Sequence, residues 1–117
     1  MNQPSARPAI EAALRNPNLM AAAIALSENR LEDAEPILRG HLRETPTDVA
    51  AIRMMAELAA RVGRLKDSEA LLRRALELTP DFGAARANLA TILYKQNRFP
   101  EALEHLNAVL AEEGDNP

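Results

Sequence analysis

The chain repeats itself at a fixed interval. Residues 29–46, NRLEDAEPILRGHLRETP, and residues 63–80, GRLKDSEALLRRALELTP, align without a gap at a spacing of 34 (Pro80 less Pro46). Arg30/Arg64, Leu31/Leu65, Asp33/Asp67, Glu35/Glu69, Leu38/Leu72, Arg39/Arg73, Leu42/Leu76, Thr45/Thr79 and Pro46/Pro80 are identical pairs. A looser third copy begins at Asn97 and keeps Arg98, Phe99, Ala102, Leu106 and Leu110 in register. A period of 20–50 residues belongs to chains whose units bury their apolar faces against their neighbours. Such a chain grows by stacking, so the interval constrains its architecture before any single residue is interpreted.

The unit is helical. Ile52, Met55, Ala56 and Ala59 recur at three- and four-residue spacing. So do Leu65, Leu72, Ala75 and Leu76, and further on Phe99, Ala102, Leu103, Leu106 and Leu110. Each set forms one apolar stripe on a helix of period 3.6. Composition agrees: 47% of residues are hydrophobic but only 3% aromatic, so the core is Ala and Leu, both strong helix formers. Asn29, Gly63 and Asn97 stand at equivalent turns, and Asn and Gly tolerate the left-handed backbone that ends a helix. Asn16 before Pro17, and Thr47 and Asp81 after Pro46 and Pro80, are candidate N-caps.

These signals predict helices over 17–28, 31–44, 48–61, 65–78, 82–95 and 99–112, with a short one near 8–15. Pro100 falls in a first turn, where its missing N–H costs little. Pro36 lies one turn into its helix, where it deletes a hydrogen bond and is expected to bend the axis.

At 34 residues per helix–turn–helix unit, the chain resembles the tetratricopeptide repeat family. The match is best in the second helix of each unit, through Ala34/Ser68/Ala102, Leu38/Leu72/Leu106 and the exit residues Pro46 and Pro80. The first helix departs from the family: Ala21-Ala22, Met55-Ala56 and Leu89-Ala90 replace Leu-Gly, and Ala25, Ala59 and Leu93 replace Tyr. The resemblance implies an all-α, right-handed superhelical solenoid of three repeats, at 15–48, 49–82 and 83–114, after an N-terminal extension over 1–14. The array is also similar to those that precede sulfotransferase domains in bacterial enzymes.

Several chemistries are poorly served. Without Cys there is no disulfide, thiolate nucleophile or cysteine-bound zinc. His41 has Glu44 and His105 has Glu101 at helical spacing, two ligands where zinc needs three or four. No glycine-rich phosphate loop, H-E-x-x-H or nucleophile elbow occurs, so no catalytic residue, metal or cofactor is expected. Residues 51–100 carry nine basic against five acidic side chains, but 101–117 carry five acidic and no basic ones. The pI is near 5.4, and Phe82 and Phe99 are expected in the core, so a nucleic-acid partner is not expected. The longest apolar run, Leu19–Leu26, is eight residues against the roughly 20 of a membrane span, and no secretory signal is legible. A soluble, cytoplasmic protein without a membrane partner is expected.

What remains is recognition of protein. In the family the first helix of each repeat lines the concave side, so the resemblance implies a groove. Its positions are Asn16, Leu19, Met20 and Ala23; Ala50, Arg53, Met54, Glu57 and Arg61; and Ala84, Ala87, Asn88, Thr91, Tyr94 and Lys95. Met adapts to varied partners, and Tyr and Arg are frequent anchors. Met20 and Met54 serve equally well as core fillers, and Asn16 as a cap. The family's carboxylate clamp is not expected, because its positions hold Leu19, Ala23, Met54, Ala84 and Asn88. Three readings follow: a peptide- or protein-binding scaffold, the regulatory or substrate-recruiting array of a larger sulfotransferase-like enzyme, or a self-assembling scaffold. The last rests on Leu103, Leu106 and Leu110, which would join copies or cover a missing segment if they face outward.

Overall fold

The computed structural model describes residues 5–114. All regular structure among the described residues is helical, in the order α1 (Ala6–Leu14), α2 (Pro17–Ser27), α3 (Leu31–Glu44), α4 (Val49–Arg61), α5 (Leu65–Leu78), α6 (Gly83–Lys95) and α7 (Phe99–Gly114). Helices α2–α3, α4–α5 and α6–α7 form hairpins, and each hairpin stacks on the next through α3 against α4 and α5 against α6. This is the expected all-α solenoid.

The hairpin turns show why the interval is so regular. Asn29, Gly63 and Asn97 have φ of 59°, 85° and 63°. Each left-handed residue turns the chain back so that the next amide bonds five residues upstream. Those bonds are Arg30 N–H to Ala25 at 2.7 Å, Arg64 N–H to Ala59 at 2.8 Å and Arg98 N–H to Leu93 at 2.9 Å. One Schellman-type closure is thus used three times. Ala22, Ala56 and Ala90 lie fully buried where the paired helices approach. Ser68, in the place of Ala34 and Ala102, keeps its buried hydroxyl satisfied by donating to the Ala56 carbonyl at 2.8 Å.

The core is continuous but has two centres. Leu19, Ala22, Leu26, Leu38, Ala51 and Leu58 form one around the first hairpin. Val49, Ile52, Leu72, Phe82, Leu89 and Leu93 form the other. Phe82 is buried as expected, but Phe99 is not: half of its surface is exposed, and its ring meets Tyr94 edge-on at 5.2 Å. Tyr94 thus covers part of the Phe99 ring, and the rest faces outward on α7.

The caps need correction too. Asn16 does cap α2, accepting from Asn18 and Leu19 N–H at 2.9 and 3.2 Å. Helix α4, however, is capped by Asp48 rather than Thr47, through bonds from Ala50 and Ala51 N–H. Phe82 stands at the cap position of α6 and makes no side-chain cap bond, and Asp81 is engaged elsewhere. Helix α3 runs unbroken through Pro36.

Candidate concave groove

Helices α2, α4 and α6, the first of each hairpin, make up the candidate concave wall, and two hollows divide it into halves. The distal half, toward the C-terminal ends of α4 and α6, is open. A hollow of about 290 Å³ lies there between Glu57, Arg61, Asn88, Thr91 and Lys95, floored by Ala56, Ser68, Leu72 and Ile92. Tyr94 does not line this hollow; it is 64% exposed, and its ring meets Phe99 edge-on.

The proximal half is covered. Helix α1 crosses it from the start of α6 toward α2, and Ile10, Ala13 and Leu14 share a hollow of about 320 Å³ with Met20, Ala23, Ala50, Arg53, Met54 and Ala84. Ala6 and Ala13 are buried beneath this crossing, as is Ala50 on the opposite wall. The start of α1 is tied down by Asp81, whose Oδ1 accepts from Ala6 N–H at 2.8 Å. Met20 and Met54 are therefore neither free groove floor nor deep core; they meet the chain's own first helix. Leu19 is fully buried and does not face the groove at all.

Several polar groups expected to greet a partner are already bonded within the wall. Arg53 Nε donates to Asn88 Oδ1 at 2.8 Å, joining α4 to α6. Arg61 pairs with Glu57 at 2.6 Å and also donates to the Leu26 carbonyl, closing the last turn of α2. Asn16 is a cap. Thr91 bonds back to the Ala87 carbonyl at 3.2 Å but stays exposed, as do Tyr94 and Lys95. The ten sequence-predicted groove residues thus separate: Asn16, Met20, Arg53 and Met54 lie near α1, Glu57, Arg61, Asn88, Thr91 and Lys95 lie around the open hollow, and Tyr94 lies against Phe99 of α7.

The outer face shows how the hairpins are joined. Glu69 on α5 accepts from Arg98 at 2.8 Å, Gln96 at 3.0 Å and Arg73 at 3.0 Å, and Arg98 also holds Glu101 on α7. Burial pushes the Glu69 carboxyl up, but these donors outweigh it and hold it below the ordinary glutamate value. One repeat earlier, Glu35, Arg39, Arg64 and Asp67 occupy the same positions, with Val62 in the place of Gln96. Among the described residues Glu35 reaches only Arg39, at 3.5 Å. Asp67 is one methylene shorter than Glu101, and Val62 cannot donate. A cleft of about 870 Å³ stays open there, floored by Leu42, Met55, Leu58 and Leu71.

Neither histidine pairs with the carboxylate its spacing offers. His41 Nε2 lies 2.7 Å from Asp48, the α4 cap, rather than beside Glu44. His105 Nδ1 accepts from Arg86 at 3.2 Å. Burial and the positive charge of Arg86 and Arg73 hold the His105 ring below the ordinary histidine value, which favours the neutral acceptor. Among the described residues no three His, Asp or Glu side chains gather as a metal site, and no helix is long and apolar enough to cross a membrane.

Helical hairpins stacked at a 34-residue interval, with a concave wall built from alternate helices, define a helical-repeat solenoid of the kind that presents a binding surface. The profile of the tetratricopeptide repeat matches residues 25–81 and again 59–117, and the chain belongs to that family. Solved structures with the same fold include MamA, residue 41 to the end, from Desulfovibrio magneticus RS-1, at a TM-score of 0.78. The MamA RS-1 ArsTM double mutant superposes at 0.76. Both are 18% identical in sequence, and the match covers 86% of this chain and 57% of theirs, so the likeness is one of fold. No curated protein matches the sequence.

Proposed function

We propose that the protein is a non-catalytic interaction scaffold that holds a peptide or protein segment in its concave groove. The observation that carries this reading is the open distal half, a hollow between α4 and α6 that Lys95 lines, with Tyr94 exposed on the preceding residue. A tyrosine braced by a neighbouring ring offers a large contact area at little entropic cost, and an ammonium at its side selects for a carboxylate or carbonyl. The bonded pairs Arg53–Asn88 and Glu57–Arg61 keep the wall rigid, which lowers the ordering cost of binding.

The test is affinity capture from the source cell's extract, comparing the protein with a Tyr94→Ala, Lys95→Glu variant. Both positions are exposed, so the fold is expected to survive unchanged. Captured partners are expected to fall at least tenfold, as removal of an anchor worth about 1.4–3 kcal/mol requires. Equal recovery by both proteins rules out the distal groove as the binding surface.

A second reading, self-assembly, draws on α7. Leu103, Leu106 and Leu110 face outward, with Leu110 62% exposed, and continue the apolar surface of Tyr94 and Phe99. A contiguous apolar face of this kind favours association with a second copy. Light scattering over a concentration series is expected to show a rising mass that a Leu103→Glu, Leu110→Glu variant abolishes. A constant monomer mass removes this reading.

A further inference from the structure

We infer that the proximal half of the groove is a helix-binding site, and that α1 occupies it as a resident competitor which a partner helix displaces. The inference deepens the groove reading above, on which it rests, by naming the partner: a short amphipathic helix with small side chains on its contact face and a first amide free to reach Asp81, as Ala6 N–H is in α1 while Ser5 accepts from Arg7 N–H.

The geometry defines that partner. Helix α1 meets the wall through Ala6, Ala9 and Ala13, spaced three and four residues apart on one face. At these three positions only methyl groups stand between its backbone and the wall, so bulkier residues there would not seat, while Ile10 borders the hollow beside them. Its first turn is received by Asp81, 75 residues away in sequence, through the bond to Ala6 N–H. Asn16 and Asp48 cap their own helices, whereas α6 has no side-chain cap and the neighbouring Asp81 is turned outward to serve another helix. An aspartate directed at the start of a helix it does not belong to is a docking contact, and it acts on any helix whose first amides arrive there.

The hold is built to be weak. Helix α1 has nine residues, short of the roughly 12–15 at which an isolated helix becomes marginal, so its helicity depends on docking. Of its larger apolar side chains, Leu14 is 63% exposed and Ile10 37%, although both border the hollow shared with the wall. What keeps α1 in place is the short link through Arg15 and Asn16 to α2, which gives an effective concentration on the order of millimolar. A free helix with the same face and two better-seated side chains would overcome that advantage.

The experiment uses the full chain. Ala13→Glu places a carboxylate where α1 is buried and ejects the helix without altering any residue of the wall. A fluorescent peptide of residues 5–15, SARPAIEAALR, is titrated against the intact chain and this variant, with circular dichroism confirming that α2–α7 stay folded. The peptide is expected to bind the variant about tenfold or more tightly than the intact chain, since only the undocked fraction of the latter is available. Adding Asp81→Ala to the variant is expected to weaken that binding. Equal binding to both chains, or to neither, overturns the inference. Should Ala13→Glu unfold the protein, hydrogen exchange on the intact chain decides: α1 amides are expected to exchange about 100-fold or more faster than those of α4, and equal protection overturns it. Loss of peptide binding while the Tyr94/Lys95 variant still fails to capture partners defeats this inference alone. Loss of the Tyr94/Lys95 effect while the peptide still binds removes the distal groove alone.

Discussion

Leu72→Ala is expected to lower the unfolding free energy by about 2–5 kcal/mol, a large share of the roughly 5–15 kcal/mol that a domain possesses. Leu72 is fully buried on α5, in the middle hairpin, where it packs in the cluster with Ile52, Ala56, Ala75 and Leu89. Truncation removes three carbons from a site whose surroundings are helices held on both sides, so the space collapses little. The repeat supplies its own controls, because Leu38 and Leu106 occupy the equivalent positions. Leu38 is as deeply buried as Leu72, so Leu38→Ala is expected to fall in the same range. Leu106 is 43% exposed on α7, and Leu106→Ala is expected to cost under about 1 kcal/mol. Urea denaturation monitored by helical circular dichroism measures all three. A loss at Leu106 equal to that at Leu72 would mean that the α7 face is covered in solution.

That contrast marks where the amino-acid pattern is informative. Asn29, Gly63 and Asn97 could be placed at left-handed turns because the conformation excludes most other residues, and their φ values agree. Asn16 could be placed as a cap because Pro17 follows it. Periodicity located the apolar stripe of α7, yet it could not tell whether anything covers the stripe, and so Phe99 was expected inside and lies half exposed. The groove shows the same boundary. Glu57–Arg61 is a four-residue pair readable on one helix, whereas the Arg61 bond to the Leu26 carbonyl spans two hairpins.

Most consequential is α1. A weak helix near 8–15 was legible, but its crossing of the groove depends on Asp81, a residue whose spacing after Pro80 reads as a cap for α6. One signal was available: Phe82 stands where Asp48 stands one repeat earlier, so the aspartate has moved off the capping position by one residue. A displaced cap residue beside an uncapped helix is a prompt to look for a second helix.

Glu69→Ala is expected to be costly where Glu35→Ala is nearly silent, although the two glutamates are identical in repeat position. The Glu69 carboxylate is 14% exposed and accepts from Arg73, Gln96 and Arg98, so its removal unfastens α5 from the turn that leads into α7. Hydrogen bonds to a charged group contribute about 1.5–3 kcal/mol when sheltered, and the freed arginines can return partly to water, so a net loss of about 1–3 kcal/mol is expected. Glu35 makes one 3.5 Å contact in a more exposed setting, and its loss is expected to stay within about 0.5 kcal/mol. The dependence on pH separates this from a packing effect. The folded-state value of Glu69 lies below its unfolded value, so its stabilisation is complete above roughly pH 4.5 and is lost as pH falls through the folded value. The gap between the parent protein and Glu69→Ala, read from denaturation midpoints, is therefore expected to be constant from pH 7 to 5 and to narrow below 4. A gap that persists unchanged at pH 3 would place the effect in packing, and the joint between the last two hairpins would then be held by its apolar contacts alone.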